Sequence, residues 1–261
     1  MRSSLQVLMV STSISLLSAC GGGGGSSPSP NLPPAPTPPP PANTSLPYFL
    51  PLSPGNTWTF SSGGKIVDTG TGTLACNCAY SGGKIESHDL LTPSGTYGGT
   101  FYYAKKSGLQ GSGSLITYLV GISSDHGQTI QLAGSAPTNS GGVIPGLGIM
   151  DDSPSASETF TDQVGDTSTI TTVNQTVTYN GSTYTQNATD SISGAGFSSI
   201  VFVFARGVGY TSFSYQGQTT TLRSFSVNQQ NSYAITRSPS VVQASGSLTT
   251  QQFLKTVLSL F

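Results

Sequence analysis

The thiols of Cys76 and Cys78, one residue apart, are the densest reactive pair in this chain of 261 residues. Positions i and i+2 of a strand lie on one face about 6.6 Å apart, at the long end of disulfide geometry, so a bond between them needs a bulge or a turn. Cysteines in an oxidising compartment pair rather than stay reduced. A local disulfide staple between Cys76 and Cys78 is therefore the expected state, and a strained bond of that kind could also serve redox exchange. Holding a soft metal would take more thiolates than these two.

Cys20 offers a different chemistry. It follows Leu17-Ser18-Ala19, after a segment with Arg2 near its start and an apolar run from Leu5 to Leu17. A charged start, a short apolar core and small residues before a cut describe a secretory signal. Leu, Ser and Ala ahead of a cysteine match the bacterial lipobox, in which the thiol becomes a diacylglyceryl thioether, the chain is cut before it and the new amine is acylated. Residues 1–19 read as a lipoprotein signal peptide and Cys20 as the lipidation site.

Two histidines each adjoin an aspartate, as His88-Asp89 and Asp125-His126. Histidine beside a carboxylate can act as a base or a metal ligand, but neighbours in a strand point to opposite faces. Glu86 and His88 would instead share a face, which could suit a metal but more commonly marks a solvated edge. Neither H-E-x-x-H nor G-x-S-x-G occurs, so the two commonest hydrolase signals fail. Asp151, Asp152, Glu158 and Asp162 lack the spacing of a calcium loop and read as solvated loop charges. No catalytic residue, metal site or cofactor is expected. A secreted-type hydrolase or redox protein using Glu86 and His88, or the Cys76–Cys78 pair, is the alternative to a non-enzymatic domain.

Only 7% of residues are charged and the net charge is −1. That excludes the basic surface that nucleic acid or anionic lipid would require. No second apolar run approaches the roughly 20 residues that span a bilayer, so the membrane is met through the N-terminal lipid. Residues 20–45 form a tether, glycine-rich at Gly21 to Gly25 and proline-rich from Pro28 to Pro41. Such a segment builds no core and extends to about 80 Å. Gly21 stands where an aspartate retains many lipoproteins in the inner membrane of enteric-type bacteria, which favours the outer membrane. A protein or small-molecule ligand would be the further partner.

Beyond the tether the chain reads as strand after strand. Asn180-Gly181 lies between alternating runs of Thr, Val and Tyr, the strongest short hairpin signal. Gln216-Gly217 repeats it, and Gly63-Gly64 and Gly82-Gly83 open further strands. Thr100 to Lys105, Leu115 to Val120 and Ile200 to Ala205 are the most apolar runs and are expected at central positions. Residues 134–157 read as a long Gly-, Ser- and Pro-rich loop with an apolar island at Ile144 to Met150. Gly55-Asn56-Thr57-Trp58-Thr59-Phe60 is echoed faintly by Gly165-Asp166-Thr167-Ser168-Thr169-Ile170. At the C-terminus, Ser247 or Thr249 can cap a helix with Phe253, Leu254, Val257, Leu258 and Phe261 on one face. The fold expected is all-β: an antiparallel sandwich, barrel or strongly curved sheet over residues 46–236. Residues 237–261 are expected to supply a linker and a C-terminal amphipathic helix.

Tyr48-Phe49-Leu50-Pro51-Leu52-Ser53-Pro54-Gly55-Asn56-Thr57-Trp58-Thr59-Phe60 resembles the opening strand of a broad, largely uncharacterised group of bacterial lipoproteins and secreted β-domains. That group also carries a late Gly-Val-Gly after an aromatic-rich strand, matched here by Gly207-Val208-Gly209 behind Phe202 to Arg206. Ser168 and Tyr210 depart from its pattern. The resemblance implies an antiparallel lipoprotein domain and brings no catalytic residue with it. Physically, Trp58 is expected in the core with its indole N–H bonded to backbone, and the two glycines at a bend where a ring approaches.

Overall fold

The structure, a computed structural model, describes residues 48–76, 82–107, 115–133, 146–162, 165–194, 197–228 and 240–248. The signal peptide, Cys20, the tether and Cys78 lie outside them, as do residues 134–145 of the expected loop and the helix beyond Leu248. No described residue is helical.

Alternation of apolar and polar residues makes the strands, and it is clean where one face is buried. They are β1 (Thr57–Phe60), β2 (Lys65–Ala75), β3 (Lys84–Leu91), β4 (Tyr97–Ser107), β5 (Leu115–Ser123), β6 (Ile130–Ala133) and β7 (Leu147–Asp151). After them come β8 (Thr159–Thr161), β9 (Thr167–Tyr179), β10 (Ser182–Gly194), β11 (Phe197–Ala205), β12 (Gly209–Tyr215), β13 (Gln218–Ser226) and β14 (Ser240–Leu248). Their spatial order is β14-β6-β5-β4-β3-β2-β1-β13-β12-β11-β10-β9-β8, with β7 paired to β5 beside this path. Pairing is antiparallel except at β14, which runs parallel to both β6 and β2. The sheet is not closed end to end: the path terminates at β8. The runs expected at the centre fall in β4, β5 and β11, each with neighbours on both sides.

Hairpin turns form where the sequence supplies residues that tolerate positive φ. Asn180 and Gly181 take φ of 50° and 80° between β9 and β10, and Gln216 and Gly217 take 49° and 79° between β12 and β13. These are two-residue loops whose twist matches that of the flanking strands. The short β1 holds a long-range position, hydrogen-bonded to β2 on one side and β13 on the other. It joins the β2–β6 half of the sheet to the β9–β13 half, and its inward Trp58 and Phe60 are fully buried. The echo at Gly165 is visible in three dimensions: Asn56, Trp58 and Phe60 are buried in alternation, as are Asp166, Ser168 and Ile170.

Three expectations are corrected. Ser240–Leu248 is a strand where a linker was expected, because Val241 to Gln243 find the backbone of β2 and the residues from Ala244 that of β6. The sheet therefore extends beyond residue 236. Within the expected loop, Leu147–Asp151 is the wholly buried β7, which takes up the edge of β5 that the short β6 leaves free. Asp151 and Asp152 are buried rather than solvated.

Candidate functional site

Strand β3 places Glu86, His88 and Leu90 on its inward face and Asp89 on the other. Glu86 and His88 thus share a face as expected, but β3 lies between β2 and β4, so that face is interior rather than a solvated edge. Glu86 is 5% exposed and His88 not at all. Asp89 turns away and accepts a hydrogen bond from the Thr100 hydroxyl at 2.6 Å, so the adjacent His88-Asp89 pair is no dyad.

The carboxylate that meets His88 is Asp68, its register partner on β2. His88 Nε2 lies 3.4 Å from Asp68 Oδ2, both side chains fully buried. The two atoms are close enough for an electrostatic pair, but neither ring nitrogen of His88 has a hydrogen-bond partner among the described residues. Asp68 is already committed to backbone donors: Oδ2 accepts from Ser53 N–H at 2.7 Å and Oδ1 from Gly70 N–H at 3.1 Å. Gly70, at a φ of 126°, sits in the β2 irregularity beside β3.

Glu86 completes the cluster. Burial raises its carboxyl group to about 9, and the nearby Asp68 pushes it further in the same direction. A carboxyl group raised that far keeps its proton at neutral pH. Glu86 Oε1 has no partner among the described residues.

Aromatic side chains wall this cluster in. The His88 ring centroid lies 4.8 Å from Tyr103, 5.4 Å from Trp58 and 6.2 Å from Tyr210. Tyr210 donates a 2.5 Å hydrogen bond to the Tyr103 hydroxyl, tying β12 to β4 across the interior. Burial raises both phenols above their ordinary range, and the Tyr103 charge adds to the rise at Tyr210. Trp58 donates from Nε1 to the Val208 carbonyl at 2.6 Å. Gly209 lies against the ring at a φ of 94°, where a Cβ would come within 2.9 Å of Nε1. The expectation of a buried Trp58 bonded to backbone, with a glycine bend under it, is met.

A second ionic site holds the start of the described chain. Lys105 Nζ lies 3.3 Å from both carboxylate oxygens of Asp152, and each side chain is largely buried. The same ammonium sits 4.0 Å from the Tyr48 ring centroid, and the Arg206 guanidinium 4.4 Å from that of Phe49. Arg206 also donates to the Asp152 carbonyl, and Gly207 N–H to that of Tyr48. Burial pulls Lys105 below the usual lysine range and lifts Asp152 to about 6 against the opposing charge of Lys105.

The other expected residues are elsewhere. Asp125 closes a loop after β5, accepting from Ser123 and Thr129, which lowers it to about 2. His126 stacks on Tyr97 at 3.6 Å. Cys76 is disulfide-bonded, and Cys78 lies outside the described residues. No group of three or more His, Cys, Asp or Glu among the described residues is arranged to hold a metal ion. Asp68, Tyr103, Lys105 and Asp190 do not stand out as site residues in the sequence, and Tyr210 does so only as a departure from the lipoprotein-group pattern. A buried parity with Ile66 was the signal for Asp68, but only strand register sets it on His88.

No protein-family model matches the chain, and no curated protein does. Among solved structures it is similar to a "putative lipoprotein" from Parabacteroides distasonis ATCC 8503, at 14% identity, over 69% of this chain and 98% of that one, with a TM-score of 0.29. A TM-score that low does not establish a shared fold.

Proposed function

We propose that this chain is a lipid-anchored envelope lipoprotein of the outer membrane whose β domain is non-enzymatic and works by binding a protein or small-molecule ligand, or as envelope structure. The observation that carries the reading is the burial of its ionisable cluster. Glu86, His88 and Asp68 are closed in by Trp58, Tyr103 and Tyr210 and cross-link strands of the core. A general base must reach the proton it removes, and a fully buried His88 meets only protein groups. The alternative hydrolase would need this interior opened.

The lipobox at Leu17-Ser18-Ala19-Cys20 supports the anchor, and the resemblance to bacterial lipoproteins supports the domain. Its two motifs, the Trp58 strand and Gly207-Val208-Gly209, meet in one joint where the indole bonds to Val208. The anchor is tested by labelling with a fatty-acid analogue and by detergent-phase partition. Wild type is expected to be labelled and to enter the detergent phase, and Cys20→Ser to do neither. Acylation of Cys20→Ser at the wild-type level would overturn the anchor. Capture of a saturable partner from envelope extracts by the untethered domain would identify what the domain binds.

A further inference from the structure

We propose that β14 is an exchangeable strand, and that the edges it covers on β2 and β6 are the seat of an extended, uncharged segment of a partner protein. This rests on the reading of the domain as a binding module and names how it binds. Strands β2 to β6 form an antiparallel run, and β14 pairs with both of its ends. It does so one half at a time. Ser240 to Gln243 lie beside Gly72 to Ala75 of β2, and the register pairs from Ala244 to Leu248 lie beside Ile130 to Ala133 of β6. Among the described residues, none of β14 is paired on both sides. Each half of the strand therefore has one bonded edge and one open edge.

The pairing of β14 also makes it the strand that can leave. It runs parallel to both neighbours, the slightly weaker of the two kinds of ladder. One neighbour, β6, has 4 residues and pairs with β5 only at Gly121 with Leu132 and Ile122 with Gln131. In chain order β14 is the last described strand, so its release unthreads none of the others. Release leaves two open edges that run the same way, since each is parallel to β14. On β2, Leu74 bonds through its N–H and C=O to Gly83 and Gly82, so Thr73 and Ala75 present theirs to the open side. The two edges, Gly72-Thr73-Leu74-Ala75 and Ile130-Gln131-Leu132-Ala133, carry no charge, and neither does Ser240–Leu248. A charged segment would lose hydration there and find no counter-charge. An uncharged run of β-branched and small residues repeats what β14 supplies, with main-chain bonds providing the affinity.

The test uses the full chain and a labelled peptide with the sequence of residues 240–248. In hydrogen exchange, amides of β14 are expected to exchange on the order of a hundredfold or more faster than those of β4 and β5. The peptide is expected to bind saturably with a Kd of about 0.1–1 mM, because it competes with a strand linked to its own seat. A disulfide between register partners, in Thr73→Cys with Val241→Cys, is expected to abolish that binding, and a reductant to restore it. Wild type in the same reductant controls for the native disulfide at Cys76. Should that variant not fold, Leu132→Cys with Ser247→Cys sets a second lock on the β6 side. Protection of β14 equal to that of β4, no peptide binding by wild type, or equal binding by the locked chain would each overturn the exchange. A lock that forms between two chains rather than within one would do the same, by showing that a second copy supplies the strand. An envelope partner held equally by locked and unlocked chains would leave the binding reading standing and refute this seat.

Discussion

The indole of Trp58 donates to the carbonyl of Val208, 150 residues away, and Gly209 presses its bare Cα against the same ring. This contact fixes β1 against the turn that opens β12. Because β1 is the strand through which the two halves of the sheet meet, the joint is the keystone of the domain. Emission of the single tryptophan is therefore expected to be blue-shifted and poorly quenched by iodide. Trp58→Ala is expected to cost about 3–5 kcal/mol in denaturant unfolding. Red-shifted, freely quenched emission from the folded protein would instead make Trp58 a surface residue.

Gly209 and Gly217 give a matched comparison. Both have positive φ, but a Cβ on Gly209 meets the indole at 2.9 Å whereas one on Gly217 meets nothing within 4 Å. Gly217→Ala is expected to pay conformational strain alone, about 1 kcal/mol, and Gly209→Ala to lose clearly more. Equal losses in the two variants would show that the ring moves aside at no cost.

Lys105 and Asp152 clamp the Tyr48–Phe49 end of the described chain. Asp152 is lifted above its ordinary value, so the folded state favours its proton, and its contribution to stability falls as pH rises from about 4 through 6. Without Lys105 the carboxyl group loses its counter-charge and this fall steepens. Lys105→Met is expected to be mildly destabilising at pH 5 and to cost about 3–5 kcal/mol at pH 8. Lys105→Met combined with Asp152→Asn is expected to recover much of that loss. A cost for Lys105→Met that does not vary with pH would sink this account.

Asp190 is fully buried on β10, where it accepts a 2.6 Å hydrogen bond from the Ser168 hydroxyl and leaves Oδ2 without a partner among the described residues. Burial raises its carboxyl group well above the ordinary aspartate value. The folded state therefore favours its neutral form, and stability is lost as pH rises above that ordinary value. Asp190→Asn keeps the acceptor without the titration. It is expected to match wild type at pH 5 and exceed it at pH 8, whereas Asp190→Ala strands Ser168 and loses about 1–3 kcal/mol at both. Greater loss in Asp190→Asn at pH 8 than at pH 5 would mean that the charge itself is needed.

Cys76 is disulfide-bonded, and Cys78 is the proposed partner. Both thiols of periplasmic protein are expected to resist alkylation until a reductant is added, and peptide mapping is expected to recover them linked. Immediate labelling of Cys78 in the native protein would discard the staple.

Local chemistry determined much of this protein. Asn180-Gly181 and Gln216-Gly217 make their turns because those residues tolerate positive φ, whatever the rest of the chain does. Period-two alternation determined that Glu86 and His88 share a face and that His88 and Asp89 do not. Alternation says which residues face together but not which face is buried, nor which strand lies alongside. Those depend on pairings between distant segments, and a slip of one residue exchanges the two faces of a strand. Tertiary structure alone decided that β3 is interior, that Asp68 rather than Asp89 meets His88, and that Lys105 reaches Asp152. It also turned Ser240–Leu248 into a strand, since Val241 and Val242 pair with Thr73 and Leu74 of β2, far away in the chain. The acids at Asp152 and Asp190 were legible as charges, but their burial was not, because a buried carboxyl group is tolerated only where the fold supplies a counter-charge, a donor or a proton.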